Sequence, residues 1–189
     1  MAFVPRLNSS GMRGNGHWYS RNPFYQAGYG LPNCTCYAWG RFWEIGDVNN
    51  DYSHRPSLST ANAEDWYRHS DSYSRGRTPA LGAVICFADG PYSGEGHVAI
   101  VEKINSDRSI VTSNSAWGGS YFYTQTLRPP SYLPARGYRF QGFIYNPYSG
   151  GGPGPGPDPD PDPDPEPGYV KKLWLFKREL YNREEYLIR

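Results

Sequence analysis

Three cysteines and four histidines are the side chains in this 189-residue sequence best suited to nucleophilic or metal chemistry. Two of the cysteines, Cys34 and Cys36, lie close together in NCTCYAWGRFWEI, residues 33–45. Asn33 is a good helix N-cap and follows Pro32, so a helix over 34–45 is predicted. Cys34 would occupy its first turn. Unpaired backbone N–H groups and the helix dipole favour negative charge there, and both lower a thiol pKa toward the nucleophilic thiolate. Ala38, one turn on, keeps bulk away from the same face. Two other readings stand beside this one. Cys34 could be a small buried hydrophobe, as most free cysteines are, or C-x-C could be half of a metal site. Cys86 lies in an apolar run and no C-x-x-C pair exists, so the spacing gives zinc little support.

A cysteine nucleophile needs a base. His97 follows the turn-like PYSGEG and opens the strand pattern HVAIVEKI, where a ring can be held firmly while facing a cleft. A strand-end histidine paired to nearby backbone is the competing reading. His17, in GNGHWYS, reads as a loop residue, and His54 and His69 lie in polar, solvated stretches. The base in turn needs a group that fixes its tautomer. Asn114, in SIVTSNSAW on the next strand, would lie beside His97 if the two strands pair antiparallel. An amide there holds the ring by a neutral hydrogen bond, whereas a carboxylate would also stabilise the imidazolium. Taken alone, Asn114 also reads as an ordinary strand-end or turn residue.

Four separated motifs, NCTCYAWGRF, TPALGAVICF, GHVAIVEKI and SIVTSNSAWGG, occur in the order seen in the CHAP family. The chain resembles that family, the cysteine, histidine-dependent amidohydrolases/peptidases, over roughly residues 20–146. The resemblance implies a papain-like α+β fold, Cys34 as nucleophile and His97 as base. It implies that Asn33 helps a backbone N–H form the oxyanion hole. The third catalytic position, often Glu in the family, falls on Asn114, and Ala116 stands where many members have a second polar residue. The implied partner is bacterial peptidoglycan and the implied bond an amide: N-acetylmuramoyl-L-alanine or a peptide bond of the stem or cross-bridge. No cofactor is implied. Some phage members hold calcium through Asp residues upstream of the cysteine, but no Asp or Glu precedes Cys34 here. DVNND (47–51) begins like a calcium loop, yet Tyr52 stands where Gly is wanted and Leu58 where Glu is wanted. No metal is expected. Trp117, Tyr92 and Trp39 are candidates to line a groove for sugar and peptide, with core packing the preferred reading for Trp39.

These residues need a scaffold. Helix signals at 34–45 and 61–69 precede strand signals at 82–88, 97–104, 109–115, 121–127 and 140–145. Helices followed by a run of antiparallel strands is an α+β order. The catalytic part is expected to span 1–148. SGGGPGPGPDPDPDPDPEPG (149–168) reads as an extended linker. Residues 169–189, apolar and basic, are too short for a separate domain and read equally as the start of a truncated module, a docking element or an engineered tail.

Aromatics make up 16% of the residues against a mean hydropathy of −0.73, so many rings must be partly exposed. Net charge is only +1, which argues against nucleic acid as partner. No apolar run is long enough to span a membrane. The first residues, MAFVPRLNSSGMRGNG, lack the apolar segment of a signal peptide. For a wall-directed enzyme this suggests a phage lysin, made in the host cytoplasm and released through a holin-made lesion or carried on the virion, with a bacterial enzyme exported by another route as the alternative. Two rival classes remain open at this level: a catalytically silent wall-binding or tail structural module, and a cysteine peptidase acting on proteins.

Overall fold

The computed structural model describes residues 3–91 and 94–150. Tyr92 and the segment from 151 onward, which holds nearly all of the expected linker and the whole of 169–189, lie outside the described residues. Two helices come first, α1 (Pro23–Gln26) and α2 (Cys34–Gly46), then a 3-10 helix (Ala63–Arg68). Six strands follow: β1 (Arg75–Gly76), β2 (Val84–Asp89), β3 (His97–Ile104), β4 (Ile110–Asn114), β5 (Tyr123–Leu127) and β6 (Tyr138–Ile144). They form one antiparallel sheet in the order β1-β6-β2-β3-β4-β5. The expected α+β arrangement is therefore the one observed. The five longer strands coincide with the five strand signals to within two residues at each end. The expected helix at 61–69 is shorter and tighter, and α1 and β1 carry too few residues to leave a periodic signal.

β2 reads as an unbroken apolar run because both faces of the sheet are covered. Val84, Cys86, Val98, Ile100 and Ile144 pack against α2, the N-terminal segment and the 3-10 helix, where Trp18, Tyr37, Trp39, Trp43 and Trp66 gather. The alternate residues Ile85, Phe87, Ala99, Val101, Ile110 and Phe143 form a second core on the opposite face. The indole of Trp39 is 2% exposed and meets Trp43 edge-on at 5.3 Å. It belongs to the core and presents no ring to a groove, which corrects its inclusion among groove-lining aromatics.

Two contacts determine where α2 lies. Gly40 lets the helix touch the Trp18 ring and the His17 carbonyl, since a Cβ there would collide with both. On the sheet side, β3 carries an extra residue between Val101 and Lys103. That residue, Glu102, is fully buried and accepts from Arg41 of α2 at 2.9 and 3.0 Å, from Ser113 Oγ at 2.7 Å and from the Arg6 N–H at 2.7 Å. A buried ion pair contributes little net stability but is costly to leave half-made, so it holds the register of helix against sheet.

Candidate active site

Asn33 caps α2 as its type and position predict. Its backbone is extended (φ −163°, ψ 132°), and its Oδ1 accepts from the Thr35 N–H at 2.9 Å and the Thr35 hydroxyl at 2.7 Å. Its Nδ2 donates to the Tyr29 carbonyl at 3.1 Å. Its backbone N–H donates to Ser115 Oγ at 3.1 Å, and that hydroxyl donates to the Ser120 carbonyl at 3.3 Å. The helix start is thereby pinned to the residue immediately after Asn114.

Cys34 is the first residue of α2 and is half-buried. Burial pushes its thiol pKa up. The hydrogen bond and charge of His97, then the N–H groups of Val98 and Thr35, pull it down further, and the result lies below the ordinary thiol value. His97 is 7% exposed. Burial lowers its pKa, but the hydrogen bond and charge of Cys34 and the bond to Asn114 outweigh this and raise it. Each group thus favours the charged form of the other.

The ring of His97 is held on both sides. Its Nε2 lies 3.1 Å from Asn114 Oδ1, which leaves Nδ1 for the thiol. Phe87 stacks on it at 6.4 Å and Tyr138 tilts against it at 6.1 Å. Gly96 makes the strand entry possible. It has φ +75°, and a Cβ there would collide with the Phe87 carbonyl and the Glu64 backbone. Asn114 is 1% exposed, and its Nδ2 donates to Thr112 Oγ1 at 3.0 Å.

Cys34, His97 and Asn114 thus converge from α2, β3 and β4. Cys36 does not join them. It is fully buried, burial pushes its thiol up to about 12, and its Sγ donates to the Trp18 carbonyl at 3.5 Å. All three cysteines are free thiols. Among the described residues no cluster of His, Cys, Asp and Glu has the arrangement to hold a metal ion. Asp47 of DVNND spends its carboxylate on local bonds, accepting from the N–H groups of Asp51 (3.0 Å) and Tyr52 (2.9 Å) and facing His17 Nε2 at 2.8 Å. His17 lies in a turn, as expected, but it is buried there.

Trp117 is 66% exposed and lies 6.0 Å from the exposed ring of Tyr29. Between α1 and residues 60–62, a cavity of about 430 Å³ reaches Asn33 and Thr35. Sequence reasoning passed over Tyr123. It pairs directly with Asn114 across β5, so both side chains share a face. Burial, then the charges of Cys34 and Tyr138, push its phenol up to about 12, so it stands neutral beside the thiol. No local signal in YFYTQTL marks it, because only the strand register brings it to Asn114.

Residues 24–116 match the family model of the CHAP domain. The chain is 31% identical over 105 residues to a probable autolysin, SsaALP, of Staphylococcus aureus, covering 56% of this chain and 35% of that one. It is 32% identical over 127 residues to the N-acetylmuramoyl-L-alanine amidase sle1 of Staphylococcus epidermidis, covering 66% and 36%. A crystal structure of an N-acetylmuramoyl-L-alanine amidase from Staphylococcus aureus overlaps 59% of this chain and 30% of its own, at 29% identity and a TM-score of 0.38. The chain spans about a third of the length of the two curated relatives.

Proposed function

Because the chain belongs to the CHAP family through residues 24–116, we propose that it is a peptidoglycan hydrolase that cleaves an amide bond of the bacterial wall. Cys34 is its nucleophile, His97 its acid and base, and Asn114 its orienting group. The observation that carries this reading is the pairing of Cys34 with His97, each with its pKa moved toward the charged form. A silent binding module has no need of such a pair.

In the proposed reaction the Cys34 thiolate attacks the amide carbonyl carbon. The carbonyl oxygen takes up the negative charge, facing N–H groups at the start of α2 with the Asn33 amide beside them. Donors of this kind are each worth about 2.7–4 kcal/mol in a transition state. Collapse breaks the C–N bond, and His97 gives its proton to the departing amine. Water, deprotonated by His97, then cleaves the thioester and restores the thiol. Trp117 and Tyr29 offer an exposed aromatic surface on which a sugar or peptide can lie.

The likeness to the N-acetylmuramoyl-L-alanine amidase sle1 favours the N-acetylmuramoyl-L-alanine bond. The relatives named here are staphylococcal autolysins and amidases, so their support goes to wall hydrolysis and gives none to a phage origin. Purified peptidoglycan treated with the protein should lose turbidity, and mass spectrometry should find new L-alanine amino ends. New ends elsewhere in the stem or cross-bridge would make it an endopeptidase. Intact walls together with cleaved casein would replace the reading by a peptidase acting on proteins.

A further inference from the structure

Asn114 does the orienting here with an amide. An amide has two ends of opposite character, and turning it over would reverse what it tells His97. With Oδ1 toward the ring, Nε2 must carry a proton, and Nδ1 is left with a lone pair for the thiol. With Nδ2 toward the ring, Nε2 must accept, the neutral ring carries its proton on Nδ1, and the base is lost. A carboxylate has no such ambiguity.

We propose that Thr112 is a positioning residue that determines which end of Asn114 faces His97. Three hydrogen bonds carry the argument. The Thr112 hydroxyl lies 3.3 Å from the Gln125 main-chain carbonyl across the β4–β5 ladder. A carbonyl can only accept, so the hydroxyl proton is committed to it. The Thr112 oxygen therefore accepts, and the group 3.0 Å away that must donate to it is Asn114 Nδ2. That leaves Oδ1 to face His97 Nε2 at 3.1 Å. The direction of the whole chain is imposed by a backbone group that cannot be reversed. Thr112 is fully buried and Asn114 nearly so, so water does not compete for these bonds. Both side chains project from the same sheet face because they are two residues apart on β4.

The inference rests on Cys34 and His97 being the reactive pair, so its test avoids the wall substrate. Nitrogen-15 NMR of the imidazole in the wild-type protein, above the pH at which His97 loses its charge, should show the proton on Nε2. A proton on Nδ1 overturns the proposal. Thr112→Val keeps the shape and removes the hydroxyl, and Thr112→Ser restores it. The alkylation rate of Cys34 by iodoacetamide, followed against pH, reports the charge of His97 as a step on its alkaline side. In Thr112→Val the imidazolium loses a well-aligned acceptor, so the step should move to lower pH by about half a unit, the size of one modest hydrogen bond. Thr112→Ser should leave it in place. A Thr112→Val protein that melts earlier but keeps the wild-type step and tautomer would show that Thr112 only packs. If the tautomer and step behave as stated while peptidoglycan stays intact, the relay stands and the wall-hydrolase reading falls.

Discussion

His17 and His97 are both buried histidines with a polar side chain against one ring nitrogen, and on paper His17 has the stronger partner. Its Nε2 faces the Asp47 carboxylate at 2.8 Å, and its Nδ1 faces Asn15 Oδ1 at 2.7 Å. His97 has only an amide. The difference lies in what remains unused. Both nitrogens of His17 are taken up by side chains that also bind neighbouring backbone, and the pair ties the N-terminal segment to the end of α2. His97 has one nitrogen held and the other turned to a thiol. A carboxylate beside a histidine is therefore not by itself the mark of a catalytic unit; in the proposed mechanism the reactive group on the open side is what matters.

Mutations can break this comparison. The largest effect is expected from Cys34→Ala, which should reduce wall lysis by at least about a thousandfold with no loss of melting temperature. Cys36→Ala should keep the activity and lose stability, because Cys36 fills core space and its thiol is held protonated. Turbidity assays and thermal melts on both variants separate the two roles. Full lysis by Cys34→Ala would remove the assignment.

The next contrast sets the histidines against each other. His97→Ala should abolish lysis in a protein that still melts near the wild-type temperature. His17→Ala leaves Asp47 buried without its partner and should cost about 3 kcal/mol in urea unfolding. The fraction that stays folded should keep its specific activity. Equal loss of activity in both would mean that His17 also serves the site.

Asn114 gives a smaller and directional effect. Asn114→Ala should lower kcat about a hundredfold, within the range for removing the support of a general base. Asn114→Asp should move the alkaline limb of activity to higher pH, because a carboxylate holds the imidazolium more strongly than an amide. The sign for stability follows from the raised pKa of His97. Its contribution is full below the ordinary histidine value of about 6.5 and is lost as pH rises through the raised one.

Least affected should be the aromatics. Trp117→Ala should raise KM a few-fold with kcat unchanged, as expected for an exposed stacking ring. Trp39→Ala should leave KM alone and cost about 3–5 kcal/mol of stability, because it empties core space. A KM effect from Trp39 alone would return it to the substrate surface.

The sequence by itself determined a good deal. A cap residue, an adjacent cysteine and the preference of a helix start for negative charge are local facts, so α2 and the place of Cys34 in it could be read from a few neighbouring residues. The strands could be read as β-branched and apolar runs between turns, and the motif order carried the family. Other facts depend on residues that meet only after folding. Burial placed Cys36 and Trp39 in the core and left Trp117 exposed, and it depends on which face meets the core. His17 read rightly as a loop residue, but its burial was not legible because its partner Asp47 is thirty positions away. Tyr123 and Thr112 came to the site through strand register, which no local pattern specifies. The direction of the bonds from Gln125 through Thr112 and Asn114 to His97 was decided by tertiary structure alone, because an amide's two ends are equivalent until a fixed acceptor orients them.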